Sequence, residues 1–262
     1  MNLCSLCTTK PANKKKSHII PKFLGKPLFN DPRARHAFQV DKKGKYRKIQ
    51  DIPKQDFLIC SDCEKRIEIL ETYFSRKLNS INDYNNRKEK FKISKIGPNE
   101  ILNCLDVNPT LFKLFYFSII WRLSMTTHPN FRSFKLPNEV ESEIGVFLNN
   151  NLYLTHKKLL ENLNSIEKYP QYHLMAYKSK NIKNEFSGIL TAFQMSNDHY
   201  GIFTSDIILF FYLNENKIDF LSRQISNKSN NKVKFVLADS SQWRSISLAL
   251  IEHRLLEKEK KS

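Results

Sequence analysis

Leu58-Ile59-Cys60-Ser61-Asp62-Cys63-Glu64-Lys65-Arg66-Ile67 decides the reading of this chain, because its cysteine spacing repeats one set near the start, Cys4-Ser5-Leu6-Cys7. Four of the five cysteines fall into these two Cys-x-x-Cys pairs. A two-residue spacer lets one tight turn aim two sulfurs at a point, and two such turns close a tetrahedron of thiolates around a d¹⁰ cation. Cys4, Cys7, Cys60 and Cys63 are therefore the expected ligands of one structural Zn²⁺. Disulfides are not expected. The first residues lack a basic segment followed by an apolar one, which points to a reducing, cytoplasmic setting. The fifth cysteine, Cys104, lies in Glu100–Leu105, an apolar phrase read as helical, and is expected to act as a small core hydrophobe.

Outward from the second pair, Ile67, Leu70 and Phe74 recur at i, i+3 and i+7, which predicts an amphipathic helix. Phe57-Leu58-Ile59 suits a short strand, so Cys60 and Cys63 should stand at a strand-to-helix corner. A zinc knuckle, an irregular or β segment and a helix opened by the second ligand pair make the order of a treble-clef finger. Metal binding would supply the folding energy that so charged a segment lacks.

Composition bounds the rest. The chain has 262 residues, 40% of them apolar, with 19 Phe, 10 Tyr, 2 Trp and only 6 Gly, which excludes a disordered tail and a collagenous architecture. Lys and Arg number 43 against 26 Asp and Glu, a net charge of +17. Residues 1–95 carry 23 basic and 10 acidic side chains, +13, and residues 96–262 carry 20 and 16, +4. A polyanionic partner, nucleic acid first, is expected at the N-terminal third.

Between the cysteine pairs lies Ser17-His18-Ile19-Ile20-Pro21, preceded by Lys14-Lys15-Lys16. Cys-x-x-Cys, then His-Ile-Ile-Pro, then Leu-Ile-Cys-x-x-Cys opening a helix resembles the HNH (ββα-metal) nuclease family over residues 1–75. The resemblance implies a general base at His18. Ser17 stands where a metal-binding Asp or His is usual, Gln55 or Asp56 stands near the family's Asn, and Glu64 and Glu68 replace its two helix histidines. Only His18 and the cysteines match outright. Glu64 and Glu68 are one helical turn apart, about 5–6 Å at Cβ, and carboxylates suit Mg²⁺ or Mn²⁺. A phosphodiesterase of this kind needs a base for the water and a cation for the phosphate and leaving oxygen, which gives His18, Glu64 and Glu68 catalytic roles. In the plainer alternative the glutamates only favour a helix N-terminus, and the chain is a non-catalytic zinc-finger nucleic-acid-binding protein or an adaptor subunit.

The connection from Cys7 to Cys60 adds Arg33, Arg35, Lys42, Lys43, Lys45, Arg47 and Lys48 to Lys14, Lys15 and Lys16 as expected contacts to duplex DNA, with Phe38 and Tyr46 interleaved. Asp41–Tyr46 reads as a hairpin-like tip.

The expected fold class is α+β, with a zinc-stapled module at 1–78, a charged helix tail and linker at 79–97, and an α+β partner- or target-recognition domain at 98–262. Gly97-Pro98-Asn99 marks the boundary. Helices are expected from Pro109, near Pro137 and near Thr155, then an antiparallel sheet from His173–Tyr177, Gly188–Met195, Ile207–Leu213 and Lys234–Leu237, and a last helix over Ser245–Lys258. Leu111–Met125 holds Lys113 and Arg122 and is too short to span a bilayer, so no membrane association is expected. The Leu111–Leu123 helix is also similar to a segment accompanying such a finger in bacterial proteins linked to phage defence. His128, His156, His173, His199 and His253 are scattered and expected to be surface or core residues. No phosphate-binding glycine loop and no Gly-x-Ser-x-Gly occurs.

Overall fold

A computed structural model of the chain describes residues 2–29, 36–40, 45–166, 169–180, 190–204, 206–228 and 231–259. In chain order its elements are β1 (Ser17–His18), α1 (Lys22–Gly25), β2 (Ala37–Val40), β3 (Tyr46–Ile49), β4 (Lys54–Gln55), α2 (Ser61–Ile81), β5 (Phe91–Ile96), β6 (Asn99–Cys104), α3 (Pro109–Met125), α4 (Asn138–Asn151), α5 (His156–Glu161), β7 (His173–Ser179), β8 (Thr191–Ser196), β9 (His199–Thr204), β10 (Ile207–Tyr212), α6 (Phe220–Ile225), β11 (Val233–Ala238) and α7 (Ser240–Glu259). The class is mixed α+β, with a seven-stranded sheet.

The sequence of α3 dictates its central place. Asn108 caps it, accepting from the backbone N–H of Thr110 at 2.9 Å and Leu111 at 3.1 Å, and Pro109 occupies the first turn. Every residue from Thr110 to Ser124 is buried, as a helix apolar on all faces requires. Phe115 stacks on Phe74 of α2 at 4.5 Å, and Phe117 meets Phe147 of α4 edge-on at 5.8 Å. Toward the sheet, Phe112 meets Phe235 of β11 at 5.9 Å, and the Tyr116 hydroxyl donates to the Phe210 carbonyl of β10 at 2.7 Å.

The sheet runs β5-β6-β11-β7-β10-β9-β8. It is not wholly antiparallel: β11 pairs antiparallel with β6 but parallel with β7, Val236 opposite Tyr177. Glu100–Leu105 is not helical either; residues 99–104 are β6. Ile101 and Leu102 point to opposite faces and both are buried, because α3 covers one face and the layer with Trp243 covers the other. Cys104 is a core residue as expected, and burial pushes its thiol pKa up. The tail expected over 79–97 ends α2 at Ile81 and then supplies β5, which returns through a turn at Gly97, where φ of +56° favours glycine.

One continuous apolar cluster runs from Cys4 and Ile67 through Phe115 to Leu237, so the N-terminal cysteine-bearing residues share a core with α3 and one sheet face. Ile67, Leu70 and Phe74 are buried on α2 as their spacing predicts. Phe57-Leu58-Ile59 is not a strand: Phe57 has φ of +58°, and the extended pairing lies just before it, β4 against β1. No helix among the described residues is long and apolar enough to cross a membrane.

Candidate metal centre and the histidine beside it

Local backbone geometry builds the cysteine cluster. Cys4–Thr8 is a tight knuckle in which the Cys4 N–H donates to Lys10 O at 2.8 Å and the Thr8 N–H to Cys4 O at 2.9 Å, with Thr8 at φ +56°. Cys60 immediately precedes α2, and Cys63 lies in its first turn. Asn13 reaches in from the knuckle side to accept the Ser61 N–H at 2.9 Å, satisfying a donor at the helix start that Cys60 leaves open. Ser5 N–H donates to Leu58 O and Lys14 N–H to Ile59 O, which fastens the two pairs to each other.

The ligand sulfurs of Cys4, Cys7, Cys60 and Cys63 all lie within 4.8 Å of one another, and Cys7 and Cys60 are 3.9 Å apart. Zn–S bonds of about 2.3 Å in a tetrahedron demand sulfurs about 3.8 Å apart, so the four fit a structural zinc ion. Among the described residues this is the single group of three or more Cys, His, Asp or Glu donors close enough to hold a metal. A hydrogen bond with Cys63 lowers the Cys4 pKa to about 4, and the same pairing, with burial, pushes Cys63 up. Arg66 approaches Cys63 Sγ at 3.8 Å and donates to Leu152 O at 2.8 Å, to Asn149 Oδ1 at 3.0 Å and to Asn149 O, the carbonyl end of α4. The cysteine cluster is thereby tied to a helix far along the chain.

Strand β1 sets His18 beside this cluster. Asp56 Oδ1 accepts the Lys16 N–H at 2.6 Å, holding Lys16 at φ +55°, and Ser17 and His18 then pair with Gln55 and Lys54. Ser17, buried, donates to Glu64 Oε2 at 2.5 Å, which binds the strand to the first turn of α2. The His18 ring is 24% exposed, yet its Nε2 is buried without a hydrogen-bond partner, 4.0 Å from Asp51 Oδ1. Burial lowers its pKa, and Lys54 and Arg122 add to this; Asp51 and Glu64 pull the other way. The net shift favours the neutral imidazole. Burial disfavours the Asp51 carboxylate, but the ion pair with Lys54 and the Ile52 N–H outweigh it and hold its pKa below the usual range.

Of the other sequence-predicted residues, Glu68 is exposed one turn beyond Glu64. His18, Glu64 and Glu68 do not form a preassembled three-donor metal group. Gln55 accepts from the Thr126 hydroxyl and from the Thr127 N–H at 3.0 Å, so it is committed to the loop after α3. Lys15, Lys16, Lys45, Arg47 and Lys48 are exposed and Lys14 is half-buried. Arg33, Arg35, Lys42 and Lys43 lie outside the described residues, as does most of the expected tip.

Two participants escaped the sequence reading. Arg122, fully buried on α3, donates to His18 O at 2.7 Å and to Ser118 O at 3.0 Å, and pairs with Glu71 Oε1 at 2.6 Å. A lone arginine inside an apolar helix was its only signal. Asp51 had none. Comparison with protein-family models, with curated proteins and with solved structures finds no match to this chain.

Proposed function

We propose that residues 1–78 form a zinc-stapled, HNH-like treble-clef module that binds nucleic acid, duplex DNA first, and hydrolyses a phosphodiester with His18 as general base. The observation that carries this reading is the His18 ring. Burial favours its neutral form, it is held through Ser17 and its own carbonyl on three elements, and its Nε2, buried in this structure, has no hydrogen-bond partner. A base acts on water from that state. Glu64, with Glu68 one turn on, would hold a Mg²⁺ or Mn²⁺, which when bound would take up charge on the phosphate and the leaving oxygen. Burial first, then Lys54 and Arg122, lower the His18 pKa and favour the unprotonated ring that a base requires. Residues 98–262 would recognise the target or a protein partner.

A second reading rests on the Ser17–Glu64 bond, which occupies one carboxylate oxygen, and on the cysteines being the one multi-donor cluster among the described residues. In it the finger binds nucleic acid without cutting. Metal-dependent cleavage by wild type, with loss in His18→Ala at unchanged zinc content and DNA affinity, decides for the nuclease; equal cleavage by both decides against His18.

A further inference from the structure

Strands β2 and β3 form a two-stranded ribbon outside the main sheet, with Ala37 opposite Ile49, Phe38 opposite Lys48, Gln39 opposite Arg47 and Val40 opposite Tyr46. Strand alternation therefore divides the ribbon into two faces. Gln39 and Arg47 lie on one. Arg47 Nε donates to Gln39 Oε1 at 2.9 Å, and Gln39 donates to Asn130 Oδ1 at 2.7 Å, so this face is moored to the turn that follows α3. The other face carries Phe38, Tyr46 and Lys48. Phe38 is 53% and Tyr46 74% exposed. Their rings meet edge-to-face at 5.7 Å, and His36 meets Phe38 the same way at 5.2 Å.

An edge-to-face pair leaves ring faces uncovered, and two large rings more than half exposed on one face are costly to keep in water. Its surroundings say what covers it. Lys48 is exposed on the same face, directly opposite Phe38. Exposed rings beside a lysine on the same face match an unpaired nucleobase next to its phosphate: the base stacks on the ring while Lys48 meets the backbone. A protein partner would have to bring both an apolar cap for the rings and a carboxylate for the lysine.

We infer that the His36–Phe38–Tyr46 face of the β2–β3 ribbon is a stacking platform for unpaired bases, so that the preferred ligand is nucleic acid with a single-stranded or extruded segment. This rests on the nucleic-acid reading above and narrows it from duplex in general to duplex with unpaired bases, or single strand.

The test uses the full zinc-loaded chain and fluorescence anisotropy with three fluorescein-labelled 20-nucleotide probes: a single strand, a perfect duplex and a duplex with a two-base bulge. Wild type is compared with Phe38→Ala/Tyr46→Ala and with Lys48→Ala. All three positions are exposed, and zinc content with thermal unfolding checks that the variants are folded. The aromatic variant should lose about ten- to a hundredfold in affinity for the single strand and the bulge, stay within about twofold on the perfect duplex, and keep the wild-type salt dependence. The lysine variant should weaken on all three probes and show a shallower salt dependence. Unchanged single-strand and bulge affinity in the aromatic variant, or an equal loss on the perfect duplex, overturns the platform while leaving the nucleic-acid reading intact. Absence of binding by wild type to any probe overturns that reading, and the platform with it.

Discussion

Arg122 donates to the backbone carbonyl of His18 at 2.7 Å across 104 residues of chain. The same guanidinium pairs with Glu71 on α2 at 2.6 Å, so one buried side chain on α3 joins the histidine strand to the helix that carries the second cysteine pair. The cysteine cluster and the histidine strand are thus positioned by the rest of the chain as well as by their own local contacts.

Removing this arginine should therefore be expensive. Arg122→Met leaves Glu71 buried with its main counter-charge gone and the His18 carbonyl without its donor, and should cost about 3–5 kcal/mol. Arg122→Met with Glu71→Leu should cost less than Arg122→Met alone, because no stranded carboxylate remains. Urea unfolding of the two variants measures the difference; equal losses would mean that the pair is not coupled.

Zinc should be present in equimolar amount in the purified chain, held by four thiolates. Cys60→Ser should abolish it and, in hydrogen exchange, strip protection from the knuckle, β1, β4 and the first turns of α2 while the seven-stranded sheet stays protected. Full zinc occupancy with Cys60→Ser would contradict the ligand set.

Electrostatic contact with phosphates should show in salt. Lys14→Gln with Lys15→Gln should weaken duplex binding and reduce the slope of log K against log salt by about 0.9 for each phosphate that is no longer neutralised. Lys16 is left unchanged because its φ of +55° makes any replacement a backbone experiment as well. An unchanged slope would place the DNA elsewhere on the surface.

How much of this was legible in the sequence follows from how local each feature is. The cysteine pairs, α2 and α3 are written in short-range spacing, and they stand where that spacing puts them. Residues 99–104 form a strand where a helix is expected, because a short apolar run suits helix or strand equally. Their partners are β5, just across the Gly97 turn, and β11 at Val233–Leu237, so strand pairing on both sides decides. Phe57-Leu58-Ile59 has strand-forming residues, but the left-handed φ at Phe57 turns the chain into the cysteine corner. The mooring of His18 was invisible for a different reason: Arg122 recognises a carbonyl, which every residue possesses.

Histidine burial sets the sign of one pH effect. Desolvation lowers the pKa of His173, which sits in the core with Nδ1 3.0 Å from Ser226 Oγ and Nε2 facing Glu215, within reach of Lys228 and Arg223. The folded state therefore binds fewer protons than the unfolded chain below the ordinary value of 6.5, and stability falls as pH drops through that value. Urea unfolding in excess zinc at pH 7.5 and 5.5 should show this loss, and His173→Gln should show a smaller one. An equal loss in the variant would remove His173 as a contributor.

The nuclease reading stands or falls on the His18 imidazole. The direct measurement is single-turnover cleavage of a supercoiled plasmid and of a bulged duplex by zinc-loaded protein with Mg²⁺ or Mn²⁺, wild type beside His18→Ala, with zinc content and DNA affinity measured on the same preparations. The predicted result is metal-dependent nicking by wild type and a rate lower by about 10²–10⁴ in His18→Ala, at equal zinc and equal affinity. Cleavage by His18→Ala at the wild-type rate, or tight binding by wild type with no cleavage of either substrate, would contradict it and leave a zinc-finger protein that holds nucleic acid without cutting it.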